Sequence, residues 1–363
     1  MMQRSIAYFI SPHGFGHAAR ASAVMGAVHE LDPQVRFEIF TTISPRFFQE
    51  SLSGPFSCHS FFTDIGLVQK SAFEEDLSET VRKLDNFLPF NPLLIENLSE
   101  KLKNQKCLLV ICDIAAIGIA AAKRAEIPSM LVENFTWDWI YEGYKESNPR
   151  INRHISYLRR IFNKADVHIQ AEPVCRRGAP DITVSPVSRK GMRPRAETRE
   201  RLGIPVDSKI ILISTGGVPE EYHFAEKLKQ KKDTFFIVAG FGKSFEKSEN
   251  LICLPQHSGF YHPDIVSASD AVVGKAGYST LAEVFHAGIP FGYISRPDFR
   301  EAEILARFID NRMTGFEIGE EEFRTGDWIV HIHDLFKKTG CCKRIENGAN
   351  QVAALIKEQF IPS

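Results

Sequence analysis

Several features are scarce in this 363-residue chain. It has no excess charge of one sign, with 44 Lys and Arg against 45 Asp and Glu. The overall basic excess that nucleic-acid binding leaves is therefore missing, and no nucleic-acid partner is expected. Its seven Cys form no CxxC pair and no zinc spacing. Cys341 and Cys342 are adjacent, which suits neither a metal site nor an ordinary disulfide, so a reducing cytoplasm is the expected compartment. Apolar runs are short. The N-terminal run is too brief for a signal peptide. The longest, residues 107–122, is broken by Asp113 and falls short of a membrane span, so no transmembrane segment is expected. There is no P-loop spacing, no GxGxxG fingerprint and no DxD pair set to hold a metal-bound diphosphate. A nicotinamide cofactor is not expected on this pattern, nor is a metal or a prosthetic group.

What is present is a regular alternation. Ser5–Ile10, Arg36–Thr41, 108–112, 129–132 and Val167–Ala171 are short apolar runs that predict strands. Helical patterns separate them, with apolar residues at Ala21, Val24, Ala27, Val28 and Leu31. A mostly helical stretch at 73–103 is interrupted by Pro89 and Pro92, and an Ala-rich helix is expected at 114–125. Residues 185–195, with Pro186, Gly191 and Pro194 among charges, predict a linker. A second series follows, with strands at Lys209–Ser214, Thr234–Ala239, Leu251–Leu254, 271–273 and Phe291–Ile294. Its helices are expected at 220–230, 279–287 and 301–310, and a tail helix at 345–358. Strands alternating with helices predict α/β units built on mainly parallel sheets. The expected domains are 1–187, 188–344 and a terminal helix at 345–363 crossing back to the first. Ligands of such units bind at the carboxyl ends of the strands, here in a cleft expected between two facing sheets. Phe is abundant, at 28 residues, enough for large cores or an aromatic-lined cleft. Basic residues cluster at Arg150, Arg153, Arg159 and Arg160 and again from Arg189 to Arg201. Solvated helix faces explain such clusters most simply, and contact with an anionic acceptor or a membrane surface is the sharper alternative.

The most informative segment is 274–283. A strand ends at Gly274, Lys275 and Gly277 form a turn, and a helix opens with Ser279, Thr280 and Glu283. Glycines let a backbone approach a ligand closely. The first helical turn offers N–H groups and the positive end of the dipole to a diphosphate. Ser279 and Thr280 add hydroxyl donors or cap the helix. Glu283, one turn on, is placed to accept from ribose hydroxyls. A tight turn with an ordinary cap is the plain alternative.

The stretch GKAGYSTLAEVFHAGIPFGYISRPDFREAEILA resembles the donor-binding region of GT-B glycosyltransferases. That superfamily includes the peptidoglycan N-acetylglucosaminyltransferases and the UDP-glycosyltransferases. The resemblance implies two Rossmann-like domains, a diphosphate on the glycine turn, ribose on Glu283 and sugar contacts near Asp298, Arg300 and Glu301. Arg300 and Glu301 stand where these families often have Asp/Glu-Gln or Gln-Gln. The segments HGFGHAAR, ENFTWDWIY, PDIVSASDAVVGKAGYSTLAEVF and NGANQVAALI resemble the N-terminal, glycosyltransferase-like half of plant L-arabinokinases. Their sugar-kinase half is not matched, so kinase activity is not carried over. By the same resemblance the loop of Gly216 and Gly217 approaches the donor phosphates or sugar, and His257 lies in the region framing the base.

After the first strand comes Ser11-Pro12-His13-Gly14-Phe15-Gly16-His17-Ala18-Ala19-Arg20. Gly14 and Gly16 make a close-approach loop, and His17 falls at the start of the first helix. A cleft-facing imidazole is a suitable general base for an acceptor hydroxyl. The GT-B resemblance favours His17 over His13, because the histidine of this GH pair is the functional one in the peptidoglycan enzymes and in a related nucleotide-sugar hydrolase. A histidine bonded to local backbone is the alternative. Asp113 ends a strand, and in plant UDP-glycosyltransferases an aspartate in this neighbourhood pairs with the base. It would fix the histidine tautomer, or else cap the helix that follows. Asn134, Trp137 and Asp138 combine aromatic and polar groups suited to an acceptor, with His13 and Gly14 beside them. A buried aromatic cluster is equally compatible, and Glu133 and Asp138 are spare acids.

Together these readings predict a metal-independent glycosyltransferase. It would move a sugar from a nucleoside diphosphate, UDP being the expected one, to an acceptor hydroxyl. A nucleotide-sugar hydrolase and a non-catalytic nucleotide-sugar-binding module are the alternatives.

Overall fold

The computed structural model describes residues 4–69, 75–214, 224–295, 299–337 and 345–361. Gly216, Gly217, Asp298, Cys341 and Cys342 lie outside the described residues. The chain divides into two compact units, 1–189 with 346–363, and 190–345.

The first unit is built on β1 (Ser5–Ile10), β2 (Arg36–Thr41), β3 (Phe56–Ser60), β4 (Cys107–Asp113), β5 (Ser129–Glu133), β6 (Val167–Ala171) and β7 (Ile182–Val184). These form one sheet in the order β3-β2-β1-β4-β5-β6-β7, with every neighbouring pair parallel. All six residues of β1 are buried, as a strand covered by helices on both faces requires. The strand order reverses beside β1, so the ends of β1 and β4 form the switch point where such sheets collect ligands. Helix Phe15–Leu31 leaves β1, and helix Ala116–Ala125 leaves β4.

The terminal helix Gly348–Phe360 belongs to this unit and packs on helix Phe15–Leu31. Asn347 caps it by accepting from Ala349 N, and its amide also donates to Ser188 O at 2.8 Å. Lys357 Nζ donates to Leu31 O at 3.0 Å. The helical stretch expected at 73–103 is two helices, Leu77–Phe87 and Pro92–Asn104. Pro92 opens the second at a position whose N–H would lack an intrahelical partner anyway.

The second unit carries β8 (Lys209–Ser214), β9 (Thr234–Ala239), β10 (Glu246–Ser248), β11 (Leu251–Leu254), β12 (Ala271–Lys275), β13 (Phe291–Ile294) and β14 (Gly315–Glu317). Their order is β10-β11-β9-β8-β12-β13-β14, parallel except for the β10–β11 pair. Two apolar clusters cover its faces. One centres on Ile211, Phe236, Val273 and Trp328, the other on Leu212, Ile237, Val272 and Leu281. Alternate residues of β8 and β12 therefore point to opposite layers, the period of two of a pleated strand. Helix Tyr278–Ala287 leaves β12 at the switch point of this sheet. No helix among the described residues is long and apolar enough to cross a membrane.

Candidate active site

In the first unit the chain leaves β1 at Ile10 and enters the helix through Gly14, whose φ of 81° and exposed position favour glycine. His17 is the third residue of that helix and is buried. Its Nδ1 lies 2.8 Å from Asp113 Oδ1. A carboxylate only accepts, so Nδ1 carries the proton and Nε2 of the neutral ring keeps its lone pair.

Asp113 is fully buried at the end of β4. Arg20, one turn beyond His17, clamps it with Nε to Oδ2 at 2.7 Å and Nη2 to Oδ1 at 2.6 Å. Arg20 Nη1 donates to Asn134 Oδ1. Burial alone would raise the pKa of Asp113. The charge and hydrogen bonds of Arg20, joined by His17, outweigh it and hold the carboxyl below its ordinary value.

Asp113 does not cap a helix. The helix after it begins at Ala116 with Ala115 at the N-cap and no side-chain cap. The intervening Ile114 sits at φ 50°, a left-handed conformation costing about 1–2 kcal/mol for a branched residue. Ser11 N donates to Asp113 O at 3.2 Å across this turn. The backbone is thus bent where β4 must present its carboxylate to His17.

The flanking groups are more buried than an acceptor site suggests. Trp137 is fully buried, packed edge-on by His13 at 5.1 Å and stacked with Tyr141 at 5.7 Å. His17 meets Phe135 edge-on at 5.7 Å. Asp138 is turned to Arg159, at 3.2 Å, and Arg176, at 3.6 Å. Glu133 accepts from His168 and Gln170, both at 2.8 Å. Asn134 is drawn into the Arg20 clamp. Of the groups assigned to the acceptor, His13 and Gly14 are the more open to solvent.

Two residues of this centre carried little or no weight in the sequence. Arg20 shares a helix face with His17 through their i, i+3 spacing, the one signal available. Asp64 had none. It accepts from Ser11 Oγ at 3.0 Å, and Ser11 Oγ in turn accepts from His13 N at 3.3 Å. Burial pushes Asp64 up to about 7, against the hydrogen bonds of Ser11, Trp137 and Thr63 and with the charge of Asp113.

In the second unit β12 turns into helix Tyr278–Ala287 at Ala276 and Gly277. Gly277 is the N-cap, no side chain caps the helix, and its first turn carries no acid. Ser279 and Thr280 lie inside that first turn, so the capping role is not theirs. The two glycines differ. A Cβ on Gly274 would lie 1.9 Å from Ser214 O, so Gly274 is required by strand packing. A Cβ on Gly277 would meet nothing within 4 Å, so the turn is open there. Lys275 at the end of β12 is half-buried, and Thr280 in the first turn of the helix is buried.

Glu283 is buried, and its Oε2 lies 2.7 Å from His262 Nδ1. His262 Nε2 is 3.2 Å from Ser214 Oγ at the end of β8. Ser214 opens the loop assigned by resemblance to the donor, and His262 was not singled out by sequence. Arg300 is half-buried and Glu301 buried at the start of helix Ala302–Arg312. His257 is exposed on the loop after β11.

The basic clusters are largely ion-paired. Arg150 and Arg153 pair with Asp85, Arg159 with Asp138 and Glu142, and Arg195 and Arg199 with Asp270.

No protein-family model matches the chain. It is 27% identical over 361 residues to the L-arabinokinase of Arabidopsis thaliana, covering 98% of this chain and 34% of that protein. It is 26% identical over 263 residues to the UDP-N-acetylglucosamine–N-acetylmuramyl-(pentapeptide) pyrophosphoryl-undecaprenol N-acetylglucosamine transferase of Bacillus pumilus, covering 67% of this chain and 66% of that one. The chain thus spans about a third of the first relative's length and just under two thirds of the second's. Among solved structures it superposes on the spinosyn forosaminyltransferase SpnP with a TM-score of 0.62 at 13% identity, covering 99% of this chain and 95% of that one. On MurG of Acinetobacter baumannii the TM-score is 0.54 at 17% identity, covering 98% and 100%. The fold is that of the GT-B glycosyltransferases, and the proteins it resembles include nucleotide-sugar-dependent transferases.

Proposed function

We propose that the chain is a glycosyltransferase that takes a sugar from a nucleoside diphosphate, UDP in the first instance, and gives it to an acceptor hydroxyl. The observation that carries this reading is the buried Arg20–Asp113–His17 array at the end of β1 and β4. In that array His17 Nδ1 is committed to Asp113, which leaves the lone pair on Nε2 of the neutral ring for an acceptor proton. In the reaction, His17 Nε2 removes the acceptor hydroxyl proton as the oxygen attacks the anomeric carbon. The bond from that carbon to the diphosphate oxygen breaks, and its electron pair leaves with the nucleoside diphosphate. Asp113 holds the ring in the required tautomer and stabilises the imidazolium. Such a base contributes about 10²–10⁴-fold, equal to about 3–5 kcal/mol of barrier.

The donor is assigned to the second unit. The first turn of helix Tyr278–Ala287 presents N–H groups at an open glycine, with Lys275 nearby, which supplies positive charge to the leaving diphosphate without a metal ion. Glu283 takes the ribose. Gly216, Gly217, His257, Asp298, Arg300 and Glu301 are assigned to the remaining phosphate, base and sugar contacts by the GT-B resemblance. His13, Gly14, Asn134, Trp137 and Asp138 are assigned to the acceptor side, with Asn134 and Asp138 acting through Arg20 and Arg159. The compartment proposed is cytoplasmic. The names of the relatives favour transfer over hydrolysis or binding alone.

The test is a thermal-shift panel of UDP, TDP, GDP and ADP with and without magnesium, followed by nucleotide release from the matching sugar nucleotide. Stabilisation by one diphosphate in the absence of metal, with release that depends on an added acceptor, is expected. Release to water alone would indicate a hydrolase. Stabilisation without any release would leave a binding module.

A further inference from the structure

Glu283 is held in an unusual way for a side chain assigned to ribose. Its side chain is 3% exposed, on a helix whose first turn lies at the open glycine. Oε2 lies 2.7 Å from His262 Nδ1, and the other ring nitrogen lies 3.2 Å from Ser214 Oγ. The hydrogen positions follow from chemistry. A carboxylate has no proton to give, so Nδ1–H donates to Glu283, and Nε2 of the neutral ring accepts from the Ser214 hydroxyl. In the neutral tautomer the hydrogen bonds run from Ser214 to His262 to Glu283.

Its three members come from three elements. Ser214 ends β8, His262 opens helix His262–Ala268, and Glu283 lies on helix Tyr278–Ala287. Gly274 brings them together, since only a residue without Cβ lets β12 lie against the Ser214 carbonyl. The imidazole is 27% exposed at the side chain and the carboxylate 3%, so the pair opens to a ligand at one edge only. A carboxylate gripped on one oxygen loses rotation about its last bond. The acceptor sites that its protein partners leave on the carboxylate are then aimed in fixed directions before any ligand arrives.

We propose that His262 is a positioning residue for the donor. By fixing Glu283, it sets the preference of this site for a ribonucleoside diphosphate over its 2′-deoxy counterpart, and Ser214 fixes the ring that does so. This rests on the assignment of the donor to the second unit. The role differs from simple packing, because it predicts a change in the ratio of two affinities and not a uniform loss.

The experiment measures dissociation constants of the full chain for UDP and dUDP by calorimetry, in the wild type, His262→Ala, His262→Asn and Ser214→Ala. The wild type should favour UDP by about tenfold or more, the effect of a hydrogen bond to a charged group. In His262→Ala the ratio should fall towards one, with dUDP affinity changed by no more than about threefold. Asn, whose amide nitrogen can take the place of Nδ1, should restore most of the preference, and Ser214→Ala should lower it partly. A parallel loss of UDP and dUDP with the ratio kept, or a ratio unchanged in all three variants, overturns the proposal. If His262→Ala does not fold, the Asn and Ser214→Ala ratios decide. Wild-type protein that binds neither nucleotide overturns the donor assignment itself, a different outcome from binding both equally, which overturns only the role of Glu283 and its relay.

Discussion

The two helix-opening turns use the same pair of residue types in opposite roles. After β1, the histidine is the proposed working group and the carboxylate holds it: His17 Nδ1 is bonded to Asp113, which is fully buried and locked by two bonds from Arg20. After β12, the carboxylate is the proposed working group and the histidine holds it: Glu283 is bonded to the half-exposed His262, with Ser214 behind it. The physical difference lies in the group that holds each carboxylate. Asp113 is clamped by the guanidinium of Arg20 and held below its ordinary pKa, which suits stabilising an imidazolium. Glu283 is joined to an imidazole through one hydrogen bond at 2.7 Å, which suits donating lone pairs to hydroxyls. A charge-pairing site promotes a reaction that develops charge, and a hydrogen-bonded site discriminates between neutral groups.

The comparison can be broken most forcefully at Asp113. Asp113→Ala removes the carboxylate that faces the buried Arg20 guanidinium, and should destabilise the first unit by about 3–5 kcal/mol in urea denaturation. A loss under about 1 kcal/mol would mean the clamp is solvated and the contrast with the second unit does not hold.

Asp64 sharpens the comparison, as a carboxyl beside the same centre without a cation. Its folded pKa is about 7, against an unfolded value of about 3.9. The folded state therefore binds this proton more tightly. The stability it contributes is complete below about pH 4 and is lost as pH rises to about 7. Asp64→Asn should remove that loss. Relative to wild type it should gain about 2–3 kcal/mol between about pH 5 and about pH 8, at 1.36 kcal/mol per unit. Denaturation midpoints at the two pH values check this, and a constant difference between the proteins would contradict it.

The smallest effect separates the two glycines of one turn. Gly274→Ala forces a Cβ to within 1.9 Å of a backbone oxygen and should cost about 1–3 kcal/mol or more. Gly277→Ala meets open space and should change stability by no more than about 0.5 kcal/mol. Its effect should appear in diphosphate affinity. Melting temperatures and nucleotide titrations of the two variants test the split, and equal destabilisation would show that the turn is packed throughout.

Much of this was legible before the structure. Strands such as β1, β2, β6, β8, β9, β11 and β13 are apolar runs bounded by turn signals, and burial on both faces leaves that mark. The short edge strands β3, β7, β10 and β14 were not. β10 is fully exposed and charged, and β3 is half-buried without alternation, so neither carries an apolar pattern. His17, Asp113 and Glu283 were singled out through loop chemistry and the GT-B resemblance. The other groups that pack around them were not. Arg20 lies 93 residues from Asp113, Ser11 lies 53 from Asp64, and Ser214 lies 48 from His262. Only the folded sheet, which sets the ends of β1 and β4 or of β8 and β12 side by side, brings such pairs together. The aromatic run at 134–141 was readable as either a binding surface or a core, and the buried Trp137 and the paired Asp138 place most of it in the core.

The most direct test of the division between the two units is His17→Ala assayed twice, for nucleotide release at saturating sugar nucleotide and for UDP affinity. The account predicts that release falls by about 10²–10⁴-fold while the dissociation constant stays within about threefold of wild type. Unchanged turnover, or a loss of affinity that matches the loss of rate, would contradict it.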